Sequence, residues 1–261
     1  MFGPGSLTWR INGEAVLLLG GGRALILQVA HPKVAAGVSE HSDYRADPWG
    51  RLYRTLDTTL RIAFDDPERS RAASDRLRSR HSRVTGVDDS GEPYRALDPE
   101  LLLWVHATLI DTSLTIYEHY VQKLTAAERQ SYYEEMKALG EAYSIPPGGM
   151  PGDLAAFRRY WAEMLADGLR VTDAARDVTA AVLRPGLPLA ARPAVELLRL
   201  VTVGMLPDGL RHELGLEWGP RRQALLAASQ AGVRSLMPVL PALMRRFPSA
   251  ARVCSEPPER S

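Results

Sequence analysis

The sequence predicts an all-α fold. Apolar residues recur at helical spacing in nearly every periodic segment, no stretch sustains a two-residue alternation, and helix start signals are frequent. Residues 15–30 form the most apolar window and read as a buried element. Arg23 and Gly20-Gly21-Gly22 interrupt it, so it falls short of the ~20 apolar residues of a membrane span. His31, followed by Pro32, ends it. Asp66-Pro67 opens a basic helix over 67–84, with Gly86 as its stop. Asp98-Pro99 opens an apolar helix reaching residue 124. Thr125 opens the next, over 126–143, and Glu128 three residues on completes a capping box. A cap side chain accepts orphan N–H groups, and proline suits the first helical position. Residues 145–152, IPPGGMPG, form a turn that no helix crosses. Beyond it, 153–167, 172–183, 193–205 and 219–247 read as helices, the last broken near Pro238 and Pro241. Residues 1–250 are expected to form a single helical domain. Residues 251–261, polar and rich in proline, are expected to form a frayed tail.

Composition removes several classes of function. With 261 residues, 45% hydrophobic and 24% charged, the chain is neither disordered, fibrous nor a disulfide scaffold. Its 32 basic and 31 acidic side chains leave a net charge of +1, no electrostatic basis for binding nucleic acid or an anionic membrane. The single cysteine, Cys254, excludes an internal disulfide, a CxxC zinc knuckle, an iron–sulfur site and covalent c-type haem. No basic leader precedes the first apolar stretch and no small-residue cleavage site follows it, so a cytoplasmic location is expected.

Common catalytic templates fail a direct search. The glycine triplet would need another glycine at position 25 for a dinucleotide fingerprint, and Leu25 stands there. A helix break with close packing is the simpler reading. No Glu is followed three positions later by His, and neither HExxH nor GxSxG occurs.

The histidines are the most informative feature. Four of six (His31, His41, His81 and His106) fall in the first 106 residues, within apolar or helical segments. A neutral imidazole is the usual nitrogen ligand of haem iron. His81 shares a helical face with Leu77 and Val84, a suitable wall for a porphyrin; a partly exposed histidine on a basic helix is the alternative. His106 lies among Leu102, Leu103, Leu109 and Ile110, where a hydrogen-bonded core histidine is the ordinary case. Ala35, Ala36 and Gly37, between His31 and His41, permit close approach of another element or a flat ligand. Arg51, Arg54 and Thr55 fall on one helical face. They could hold propionates or polarise a bound oxygen species, or simply form a solvated surface.

Four runs carry a family resemblance: ALILQVAHPKVAAGVSEHSDYRADPWGRLYRTL (24–56), HSRVTG (81–86), GEPYRALDPELLLWVHATLIDTSL (91–114) and LTAAERQSYYEEMKALGE (124–141). Over roughly residues 15–245 the chain resembles the rubber oxygenase (latex clearing protein) and mycophenolate-pathway oxygenase (MpaB-like) superfamily, particularly its short bacterial members. The resemblance implies an all-α fold with a globin-related helical core and a haem b cofactor. In rubber oxygenase an arginine precedes the proximal histidine by three positions. Arg78 and His81 match, which makes His81 the implied axial ligand of the iron. The family's arginine four positions after that histidine is Thr85 here. Arg51, Arg54 and Thr55 match a distal arginine–lysine–threonine pattern, with Arg54 replacing the lysine. Arginine stays protonated and cannot cap iron, so the match implies an open or water-bound distal position. Glu40 is the nearest candidate for a distal carboxylate base. His31, His41 and His106 lie in the matched runs and stand as further cofactor-side candidates.

The resemblance thus implies a haem-dependent oxygenase or oxidase acting with dioxygen on a small apolar substrate, by analogy an isoprenoid, with any redox partner unspecified. Two other readings remain open. One is a haem- or small-ligand-binding sensor or carrier without turnover. The other is a helical domain that has lost its cofactor and uses His31 and His106 structurally.

Overall fold

The computed structural model describes residues 2–42, 48–186 and 189–247, without the side chains of 48–53 and 242. Among the described residues it is predominantly helical. In chain order the elements are α1 (Leu7–Asn12), a 3₁₀ segment Ala15–Gly20, α2 (Gly21–Val29), α3 (Pro32–His41), α4 (Pro48–Phe64) and α5 (Pro67–His81). A hairpin of β1 (Thr85–Val87) and β2 (Pro93–Arg95) follows. Then come α6 (Pro99–Tyr120), α7 (Ala126–Ala142), α8 (Leu154–Glu163), α9 (Asp173–Leu183), α10 (Arg192–Gly204), α11 (Asp208–Glu213), α12 (Pro220–Leu236) and α13 (Ala242–Arg245). The expected tail lies outside the described residues.

α6 is the axis of the molecule. Leu101, Trp104, His106, Ala107, Ile110, Ile116, Tyr117 and Tyr120 are all buried, which places apolar groups all around its circumference. α1, α2, α7, α12 and the 3₁₀ segment pack against it. The glycine triplet marks the change from 3₁₀ to α geometry. A Cβ on Gly20 would lie 2.6 Å from Thr112 Cγ2 and 2.8 Å from Ile116 Cγ1 of α6, and one on Gly22 would strike Thr202 of α10. The glycines therefore let α2 wedge between two helices, as the close-packing reading expects.

Two of the three expected caps are formed, at Asp66 and Thr125; the Asp98 side chain does not cap α6 but turns back to accept from Arg95 N at 2.9 Å. Thr125 Oγ1 accepts from Glu128 N at 3.2 Å, and Glu128 Oε2 accepts from Thr125 N at 2.7 Å. Asp66, Asp153 and Thr172 cap α5, α8 and α9 more simply, each accepting from the backbone N–H three residues on. Thr125→Ala should cost about 1 kcal/mol, read as a lower urea midpoint with an unchanged slope.

The structure refines the sequence reading in three places. α5 ends at His81, and the next residues turn into the small antiparallel hairpin, with Gly86 opposite Tyr94. Three-residue strands show no alternation. A turn builds this hairpin: the Asp88 carboxylate accepts from Ser90 N, Ser90 Oγ and Glu92 N, and Gly91 takes φ +87°. α8 ends at Glu163 and continues as one wide π-helical turn to Gly168. The last helical stretch is interrupted between Leu236 and Ala242, near the expected prolines. Among the described residues, no single helix is long and apolar enough to cross a membrane.

Candidate functional site

α4 and α5 form a helical hairpin. Ser70 Oγ of α5 donates to the Ile62 carbonyl of α4 at 2.7 Å. On α5, Ser70 and Ala73 are buried and Leu77 packs against the core. Those spacings of three and four place His81 at the end of the same inward stripe. Two backbone bonds fasten its end to the hairpin: Val84 N to His81 O at 3.0 Å, and Ala96 N to Val84 O at 2.9 Å. The imidazole is half-buried, and its Nδ1 is enclosed with no hydrogen-bond partner among the described residues. Burial, helped by the Arg80 charge, pushes its pKa below the ordinary value. The ring is therefore neutral at neutral pH and keeps a lone pair for a Lewis acid.

His31 and His41 bracket α3, which packs on that hairpin. His31 Nδ1 is also enclosed without a partner. Burial lowers its pKa, against the opposing pull of Glu100. His41 is turned outward: its Nε2 lies 3.1 Å from the Thr85 carbonyl, which can only accept, so that nitrogen carries the proton. Glu40 accepts from Tyr94 Oη at 2.7 Å. Gly37 is the close-approach position: a Cβ there would sit 3.2 Å from the Tyr94 ring. The flat group that meets the small residues of α3 is thus a side chain of the same molecule.

His106 faces α7. Its Nε2 donates to the Met136 carbonyl at 2.8 Å, leaving Nδ1 a bare acceptor that is buried and unpartnered. Burial lowers its pKa to about 4, with the Met136 bond opposing. The Tyr143 ring meets it edge-on, with centroids 5.3 Å apart. The Tyr143 hydroxyl is likewise buried without a partner in normal geometry, and burial raises its pKa. His106 Nδ1 is therefore an unused acceptor in the core, with the Tyr143 ring packed against its imidazole. Tyr143 was not a candidate from the sequence; it was legible only as a residue near the end of a helix, seven positions beyond Met136.

The remaining candidates are dispersed. Arg78 lines a recess of about 500 Å³ between α5 and the end of α7, with Ser74, Asp75, Glu141 and Ser144. Arg54 lines a separate recess of about 310 Å³ between α4 and α5, with Asp57, Arg61, Arg76, Leu77 and Arg80. Thr55 is exposed, and the Arg51 side chain lies outside the described residues. Among the described residues, no group of three or more His, Cys, Asp or Glu side chains is placed to hold a metal ion. A porphyrin, by contrast, asks the protein for one axial donor.

No solved structure gives a significant match to the chain. Uncharacterized proteins of Mycobacterium bovis and Mycobacterium tuberculosis are each 31% identical to it over 206 residues, covering 76% of this chain and 80% of theirs. The family described as the ER-bound oxygenase MpaB/B′ and rubber oxygenase catalytic domain matches residues 9–241, nearly the whole helical body. The chain belongs to that oxygenase family.

Proposed function

We propose that the protein is a haem b-dependent oxygenase that holds the iron through His81 and acts with dioxygen on a small apolar substrate. The observation that carries the reading is the His81 imidazole: inward-facing, neutral, and with a buried ring nitrogen that no described residue satisfies. An enclosed polar atom without a partner is costly, and a cofactor packed against it is one way to remove that cost. Bound haem would supply the redox-active iron that activates dioxygen.

The chain's own groups bind and orient. α5 fixes the imidazole by tying its last turn to the β-hairpin. Leu77 on α5 and Leu60 on α4 add apolar wall where the two helices meet the core. Arg78, one turn before His81, supplies a cation for a propionate or a carboxylate. Arg51, Arg54 and Thr55 on α4 are assigned the polar edge of the oxygen side, where they would exclude bulk water and donate hydrogen bonds. His31 and the His106–Tyr143 pair are assigned supporting positions around the cofactor.

A binder without turnover is favoured by one observation. Thr85, where the family has an arginine, is exposed on β1 and offers no charge to a propionate. Two measurements separate these readings. Hemin titration should give a saturable Soret band. His81→Ala should lose that band while keeping its helical circular dichroism. The reconstituted protein should then consume dioxygen with an apolar alkene and a reductant. An unchanged band in His81→Ala would overturn the axial assignment. A normal band without dioxygen consumption across an alkene panel would leave the binder.

A further inference from the structure

A second site lies on the far part of the chain. α9, α10, the turn after α11 and the start of α12 enclose a recess of about 400 Å³. That volume is within the usual range for small-molecule pockets. Its rim carries four guanidinium groups: Arg176 and Arg184 of α9, Arg199 of α10 and Arg222 of α12. Glu217 is the only carboxylate-bearing residue among its lining. Arg199 is 3.6 Å from Glu196, at the loose end of ion pairing. Arg176 and Arg222 donate to the backbone carbonyls of Glu213 and Glu217, at 3.1 Å each, and reach no described carboxylate. Arg184 forms no ion pair with a described residue. The walls between these cations are apolar: Leu183, Val203, Leu214 and Leu216.

An independent observation points the same way. Thr179, one turn after Arg176, also lines the recess. The residue is 4% exposed, and its hydroxyl is buried without a hydrogen-bond partner. A helical threonine normally bonds back to a carbonyl one turn earlier, and this one does not. Four like charges around one concavity repel one another until an anion enters, and a concave wall concentrates their field.

We infer that this recess binds a small amphipathic oxyanion, with a phosphate or carboxylate head held by the arginines and the Thr179 hydroxyl and an apolar body laid on the leucine wall. The four arginines supply charge-assisted donors, and their planar forks suit either head. The site is separate from the proposed haem position and needs no cofactor.

The test uses the full chain as purified. Inorganic phosphate, n-octyl phosphate and octanoate are titrated by calorimetry at low and high salt. n-Octyl phosphate should bind saturably, at least about tenfold tighter than inorganic phosphate, and weaken as salt rises. Arg184→Glu should weaken it by about tenfold or more. Thr179→Val should weaken it by several-fold without lowering the melting temperature, because the lost hydroxyl has no partner in the fold. A purely structural role for Thr179 would not change affinity at constant stability. Octanoate binding as tightly as n-octyl phosphate assigns a carboxylate head, and weaker binding assigns a phosphate head. If the winning head is phosphate, sedimentation with phosphatidic acid vesicles separates a lipid headgroup from a free metabolite. No saturable binding at millimolar n-octyl phosphate, equal affinity for inorganic phosphate, or unchanged affinity in both variants would each overturn the assignment.

Discussion

Asp111→Ala should destabilise the protein by about 2–3 kcal/mol, somewhat below the scale expected when one partner of a fully buried ion pair is removed, because the Asp111 side chain is 24% exposed. The reason lies in Arg23, whose residue is only 4% exposed. Three of its nitrogens donate at 2.6 Å each: Nη2 to Asp111 Oδ2, Nη1 to Thr112 Oγ1 and Nε to the Met205 carbonyl. The fork thus ties α2 to α6 and to the end of α10 in one plane. Without Asp111 the guanidinium keeps its charge, because arginine does not deprotonate, and faces only two neutral acceptors. Arg23→Met should cost less, since the Asp111 side chain is 24% exposed and water can reach the carboxylate. The double variant should recover part of the loss, and urea unfolding of all three closes the cycle. An Asp111→Ala protein within ~1 kcal/mol of the parent would show that the pair does not hold this corner. The consequence reaches the candidate site, because α2, which carries Arg23, ends at Val29, two residues before His31.

This knot was invisible in the sequence, where Arg23 reads as an interruption of an apolar window. Its partners lie 88, 89 and 182 residues away, and nothing local announces them. What was legible is what local chemistry decides. Asp66 and Thr125 cap the helices they are expected to open, whereas Asp98 opens α6 without a side-chain cap, and Asp153 and Thr172, expected inside their helices, stand as the caps. The hairpin was missed because two three-residue strands are fixed by the Asp88 turn and by Tyr94 on Glu40, not by a hydrophobic period. For the site, the sequence could single out four histidines but not sort them. Tertiary contacts do the sorting. His41 is pinned outward by the Thr85 carbonyl, while His31, His81 and His106 each keep an enclosed, unpartnered nitrogen. Thr179 escaped notice for the same reason: an unsatisfied hydroxyl is a property of its neighbours.

Acidification from pH 7 to 4 should remove roughly 3 kcal/mol of stability through His106 alone. Its native pKa is held at about 4 by burial, against 6.5 for a free imidazole. The unfolded chain therefore takes up the proton as pH falls through 6.5, and the native state takes it up only near 4. Between those values the unfolded state binds more protons, so stability rises with pH; the contribution is complete above about 6.5 and lost toward 4. The half-buried His31 and His81 are shifted in the same direction and add to the slope. His106→Gln isolates the largest part. Glutamine can still donate to the Met136 carbonyl but does not titrate, so the variant should lose stability at pH 7 from imperfect packing and lose less on acidification. Urea midpoints across pH 4–7 for parent and variant give the comparison. Parallel curves would mean that the native imidazole accepts a proton as easily as the unfolded one. The bare Nδ1 would then have to be in contact with water, and its supporting position at the cofactor would fall with it.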